Sequence, residues 1–230
     1  MPTEPRPLSP ASLVVAAGRP PRTQGAPVNP PVVLSSTYFS RGAPAIGEMV
    51  YTRSDTETWH APEALIGRLE GAPGPGILFG SGMAAISAVF SLVPVGRRIV
   101  MPTAPYQMAS VLADDAVTRG LFHVTRVDIA DTAATAGALT TGASPALLWI
   151  ESPTNPLLDV ADLPALIDAA HAAGALVGVD NTFATPLGQQ PLAYGADLVV
   201  HSVTKYLAGH SDVVLGAVVA ADAGLDQRLR

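Results

Sequence analysis

Lys205 is the single lysine of a 230-residue chain whose other twelve basic residues are all arginine. It closes the run His201-Ser202-Val203-Thr204-Lys205, so two hydroxyls stand at alternate positions just ahead of one amine. A buried lysine can lose its proton and attack a carbonyl carbon, which a guanidinium does not readily do. Asp180 follows an apolar run, Tyr106 follows Pro105, and Gly80-Ser81-Gly82-Met83 makes a glycine turn ahead of a helical stretch. Backbone N–H groups at such a turn, backed by the positive end of a helix dipole, suit a phosphate. Together these groups make an inventory for holding a phosphorylated aromatic aldehyde. Pyridoxal phosphate needs that set: an amine for a Schiff base, a carboxylate to keep the pyridine nitrogen protonated, a stacking aromatic, and donors for the phosphate.

Such residues act together only if the fold gathers them. Short apolar runs at Ile77–Phe79, Arg98–Met101, Val124–Val127, Leu147–Ile150, Leu176–Val179 and Leu198–Val200 read as strands buried on both faces. Helical stretches alternate with them. One begins at Ala61, with Pro62 in its first turn and Leu65, Ile66 and Leu69 on one face; others run from Ala84 to about Leu92 and between Asp162 and Gly174. The expected fold is therefore α/β, a mostly parallel sheet with helices on both faces. In such a sheet ligands bind at the carboxyl ends of the strands. The residues just after the strands are Ser81-Gly82-Met83, Tyr106, Glu151-Ser152-Pro153-Thr154-Asn155-Pro156, Asp180-Asn181-Thr182 and the Lys205 run. Ten of the 22 prolines fall in the first 50 residues, which favours an extended arm over residues 1–60 ahead of an α/β domain over 61–230.

Composition narrows the field further. A hydrophobic content of 48% can build a sizeable core, and 14% charged residues is low enough to suggest that other subunits cover part of the surface. A net charge of −6 offers no basic field for nucleic acid. The absence of cysteine excludes disulfides, thiolate nucleophiles and Cys-ligated metals. His201, His210 and Asp212 lack the spacing of a metal site, so no metal is expected. The N-terminus does not read as a signal peptide, and Pro and Gly interrupt the longest uncharged run, so neither a membrane partner nor a place outside the cytoplasm is expected.

Three linked motifs carry a resemblance. Glu151-Ser152-Pro153-Thr154-Asn155-Pro156, Val179-Asp180-Asn181-Thr182-Phe183-Ala184, and His201-Ser202-Val203-Thr204-Lys205-Tyr206 with Gly209-His210-Ser211-Asp212 resemble the Cys/Met-metabolism family of pyridoxal-phosphate enzymes. That family includes cystathionine γ-synthase, the γ- and β-lyases, methionine γ-lyase and the O-acetylhomoserine sulfhydrylases. The resemblance implies the large domain of a fold type I PLP-dependent transferase, with pyridoxal 5'-phosphate as cofactor and a small amino acid as substrate. It implies γ-elimination of cystathionine or a related amino acid, with γ-replacement as the alternative. By the same resemblance Lys205 is the Schiff-base lysine, Asp180 the partner of the pyridinium nitrogen and Tyr106 the ring-stacking tyrosine. Asn155 stands near the phenolic oxygen, and Gly82, Met83, Ser202 and Thr204 match phosphate-binding positions. Tyr51 and Arg53 match a pair that reaches the phosphate in a neighbouring subunit, which implies a homodimer or homotetramer with the arm crossing between sites.

The chain also departs from the family pattern. Ser54-Asp55-Thr56-Glu57-Thr58 stands where relatives often have Asn-Pro-Thr, and Gln107-Met108-Ala109 follows the tyrosine in place of Gly-Gly-Thr. Relatives continue into a C-terminal domain that supplies an arginine for the substrate carboxylate, whereas this chain stops at Arg230. It thus reads as a fragment or truncated relative, with a non-catalytic cofactor-binding remnant as the rival from another class. The spacing Gly80-x-Gly82-x-x-Ala85 also fits a dinucleotide fingerprint, but residues 101–105 hold no acid for a ribose.

Overall fold

Strand residues in this chain divide between two helical layers by simple alternation. In the computed structural model, which describes residues 8–45 and 47–230, seven strands form one sheet. They are β1 (Ile77–Phe79), β2 (Arg98–Pro102), β3 (His123–Val127), β4 (Pro145–Glu151), β5 (Leu176–Asp180), β6 (Leu198–His201) and β7 (Gly216–Ala220), in the order β1-β7-β6-β5-β4-β2-β3. All neighbours pair in parallel except β7, which runs antiparallel to both β6 and β1. The sheet is therefore mostly parallel, as the sequence predicts. The β7 strand, which the apolar runs did not single out, is the exception.

Helices α1 (Pro10–Ala16), α2 (Glu57–Leu69), α3 (Gly82–Ser91), α4 (Gln107–Thr118), α5 (Thr132–Thr140), α6 (Leu163–Ala172), α7 (Thr185–Gly188) and α8 (Ala223–Leu229) complete the order, with a 3₁₀ turn at Pro191–Tyr194. Ile99, Met101, Leu147 and Trp149 pack with Ile86, Val89 and Phe90 of α3 and Leu225 of α8. Their strand neighbours Val100, Leu148 and Ile150 face the other way, onto Leu163, Leu166 and Ile167 of α6. Val199, Ala217 and Val219 continue that second face against Ile66 of α2. Trp149 meets Phe90 edge to face at 5.2 Å. It needs Gly178 beside it, because a Cβ there would lie 3.2 Å from the indole.

Local signals explain most helix ends. Asp162 accepts from Ala165 N–H at 3.2 Å to cap α6, and Ser81 accepts from Ala84 N–H at 3.1 Å to cap α3. Two expectations need correction. α2 starts at Glu57 rather than Ala61, so Pro62 lies inside the helix and the helical body begins within the span assigned to the arm. Apolar packing of Ile66 and Leu69 outweighs the hydrogen bond that Pro62 cannot donate. The arm also holds α1, capped by Ser9, while its residues 1–7 and 46 lie outside the described residues.

Candidate active site

At the carboxyl ends of β4, β5 and β6 lies a cavity of about 260 Å³ whose lining includes Gly82, Met83, Tyr106, Glu151, Asn155, Asp180, Ser202, Thr204 and Lys205. Eight of the residues singled out from the sequence therefore meet in one place. Tyr51 and Arg53 do not. They sit together ahead of α2, the Arg53 guanidinium 4.9 Å from the centre of the Tyr51 ring.

One end of the cavity is a backbone cradle. The Ser81 hydroxyl takes the Ala84 N–H, and Ala85 N–H bonds Ser81 O, which leaves the amides of Gly82 and Met83 without an acceptor among the described residues. This helix start presses against the ends of β6 and β7. A Cβ on Gly82 would lie 2.7 Å from Ser202 Cβ, and one on Gly216 would lie 2.1 Å from Ser81 O. Glycine at position 82 is thus demanded by a close approach, which a reading of it as turn punctuation did not foresee. Thr204 is committed elsewhere. Its hydroxyl donates to Leu215 O at 3.1 Å and accepts from Leu215 N–H at 2.9 Å, pinning the approach to β7, whereas Ser202 has its hydroxyl at the cavity.

The opposite wall is acidic. Asp180 ends β5, is 7% exposed, and takes hydrogen bonds from Thr182, whose N–H is 3.0 Å from Oδ1. Thr182 Oγ1 in turn accepts from Ser202 N–H at 2.8 Å, which ties the β5 end to the β6 end. Burial pushes the Asp180 carboxyl above its ordinary range, against the pull of the Thr182 hydrogen bonds and the His201 charge. Glu151 ends β4 and stands opposite Asp180 in the parallel register. Burial, and then repulsion by Asp180, push it up to about 8, although N–H groups of Tyr106 and Asn155 favour its charged form. Glu151 is a site residue that sequence reasoning quoted inside a motif without assigning it a part. The strand-end rule that selected Asp180 selects Glu151 equally.

A second unforeseen set lies behind the cavity. Glu70, just past α2, receives the Asn181 side-chain N–H at 2.9 Å and meets His201 Nε2 at 2.6 Å, with both Glu70 and His201 side chains fully buried. Gln189 joins Asn181 Oδ1 and Ser152 O at 3.0 and 3.2 Å. One glutamate thereby holds together residues from the ends of β5 and β6, and Gln189 extends the tie to β4. Lys205 itself is exposed at the cavity rather than buried within this single chain. His210 turns Nδ1 to Ala208 O at 2.8 Å.

Comparison with known proteins follows this geometry. The family model described as Cys/Met metabolism PLP-dependent enzyme matches residues 11–230. The chain is 43% identical to the cystathionine β-lyase of Lactococcus lactis over 197 residues, covering 86% of this chain and 51% of that one. Its fold is similar to the crystal structure of cystathionine γ-synthase from Xanthomonas oryzae, with a TM-score of 0.90 and 42% identity over 97% of this chain and 57% of that one. It is likewise similar to cystathionine γ-lyase from Micromonospora echinospora, with a TM-score of 0.88 and 38% identity, covering 97% and 58% respectively. The chain spans about half the length of the curated relatives it matches. Among the described residues no helix is long and apolar enough to cross a membrane.

Proposed function

Because the chain belongs to the Cys/Met metabolism PLP-dependent enzyme family, we propose that it carries the cofactor site of a transsulfuration-type enzyme that eliminates the γ substituent of cystathionine or a related amino acid. The observation that carries this reading is the cavity itself. At the ends of three neighbouring strands it gathers the single lysine, a buried carboxylate, a tyrosine and a glycine-lined helix N-terminus.

Those residues fit pyridoxal phosphate. The missing Cβ of Gly82 lets the start of α3 sit against Ser202, so that the free amides of Gly82 and Met83 and the Ser202 hydroxyl together would hold a phosphate. Asp180 would keep a proton on the ring nitrogen, Tyr106 would cover the ring face, and Asn155 would meet the phenolic oxygen. Thr204, its donor proton already given to Leu215, would shape the phosphate end by anchoring that segment. When bound, the cofactor supplies an electron sink for the substrate's Cα. Lys205 Nζ would tether the aldehyde, and would take up and return the Cα proton.

The same reading makes the assembly a homodimer or homotetramer in the cytoplasm, in which Tyr51 and Arg53 serve the neighbouring site. Its support is an arm that leaves Leu34 and Phe39 at 94% and 109% exposure, apolar surface of the kind that subunit contacts cover. A second reading is γ-replacement by an incoming thiol, supported by the 42% identity and shared fold with the Xanthomonas γ-synthase.

The test is to add pyridoxal phosphate to the purified chain and then cystathionine. The expected results are a visible absorbance band that Lys205→Arg abolishes, followed by release of a 2-oxo acid. Folded protein without a band overturns the cofactor reading, and a band with thiol-dependent product but no 2-oxo acid establishes γ-replacement instead.

A further inference from the structure

We propose that Glu151 is a positioning residue for this site, its two carboxyl oxygens fixing the backbone from which Tyr106 and Asn155 project; the proposal rests on the pyridoxal-phosphate reading above. Oε2 accepts from Tyr106 N–H at 2.6 Å and Oε1 from Asn155 N–H at 2.8 Å. The two residues are far apart in sequence, and Glu151 joins them across the ends of β2 and β4.

The Tyr106 contact supplies something α4 lacks. Tyr106 is the N-cap of α4 and has no side-chain cap hydrogen bond. In a capping box the N-cap N–H is taken by Glu or Gln three residues on, but that position here is Ala109, which is fully buried. The acceptor is therefore brought from another strand. The Asn155 contact holds the turn leaving β4 in the same way.

The cost of keeping an acid there supports a dedicated role. Glu151 is 5% exposed and neighbours Asp180 across the β4–β5 register, so two carboxyls lie side by side in one wall. An apolar side chain would avoid that repulsion, yet only an acceptor with two oxygens can satisfy both N–H groups at once.

The test compares wild type, Glu151→Gln and Glu151→Asp by pyridoxal phosphate titration, visible circular dichroism of the bound chromophore and melting of the cofactor-free chain. Glutamine keeps one acceptor and turns an NH₂ toward the other N–H, whereas aspartate keeps both oxygens at shorter reach. The expected result is a Glu151→Gln chain that still forms the visible band through Lys205. Its cofactor dissociation constant should rise roughly tenfold, with a reduced dichroic signal per bound cofactor, and Glu151→Asp should recover part of both. Should the glutamine variant fail to fold, the aspartate variant alone must show the weaker binding and altered dichroism. Wild-type affinity and dichroism in the folded variants overturn the proposal, and so does a loss confined to melting. A wild-type chain without any band instead sinks the cofactor reading on which it rests.

Discussion

Gly82 shows how much one missing methyl group can decide. Its Cα lies so close to Ser202 that an alanine Cβ would sit 2.7 Å from Ser202 Cβ and 2.8 Å from Oγ, and neither neighbour is a free surface side chain. Gly82→Ala should cost about 1–3 kcal/mol by overpacking. It should also weaken pyridoxal phosphate binding, because the start of α3 must back away from β6; urea unfolding and a cofactor titration check the two parts separately. The acidic wall makes a second prediction at this scale. A carboxyl raised to about 8 in the folded chain binds more protons there than when unfolded, so its contribution to stability is full at low pH and is lost as pH rises toward that value. Cofactor-free wild type should therefore lose stability relative to Glu151→Gln between about pH 5 and about pH 8. Parallel urea midpoints across that range would refute the raised Glu151 carboxyl. The identities of Lys205, Asp180 and Tyr106 were legible because each follows a strand or proline signal. The crowding at Gly82 and the commitment of the Thr204 hydroxyl were not, since both depend on strands that are distant in sequence.

At the level of elements, the sheet has a functional end and a structural end. Arg98 serves the latter. It is 6% exposed, pairs with no carboxylate among the described residues, and instead donates to Ala143 O and Ala138 O at 2.8 Å, to Thr125 Oγ1 at 3.1 Å and to Leu139 O at 3.5 Å. It therefore stitches the carboxyl end of α5 to the start of β2, where a cation also suits the helix dipole. Arg98→Ala should destabilise the chain by about 3 kcal/mol by leaving buried carbonyls unpaired. Arg98→Lys should not rescue it, because one ammonium cannot span acceptors that a planar guanidinium reaches. Urea unfolding measures both, and the folded fraction of either variant should bind cofactor normally, since the site lies at the other end of the strands. Sequence patterning found six of the seven strands and the α6 cap. It missed β7, whose Gly-Ala-Val-Val-Ala run is made mostly of small residues, and it delayed α2 because Pro62 looks like a first-turn residue until packing on Ile66 shows otherwise.

For the molecule as a whole, the proposed assembly makes a prediction about Tyr51 and Arg53. In the single chain that pair touches no part of the cavity. If it serves a neighbour, Arg53→Ala and Lys205→Ala chains should each bind cofactor poorly alone, whereas mixed assemblies should regain a site of wild-type affinity. Titration of the mixture against the separate variants decides this, and Phe39→Glu should shift sedimentation toward monomer. The buried Glu70–His201 pair belongs to the same scale, because it joins α2 to the strand ends across more than half the chain. Removing His201 leaves the buried Glu70 with only the Asn181 N–H, so His201→Ala should cost about 3 kcal/mol by urea unfolding.

The sequence by itself determined which chemical groups the chain can offer: one amine, a carboxylate after an apolar strand, a tyrosine, hydroxyls and a glycine turn, each placed at a strand end by local alternation. Only the tertiary structure decided which of those ends are neighbours. Strand order and register arise from burying both faces of the sheet at once, a condition no local window contains. That condition sets Glu151 beside Asp180, presses Gly82 onto Ser202, and spends the Thr204 hydroxyl on Leu215.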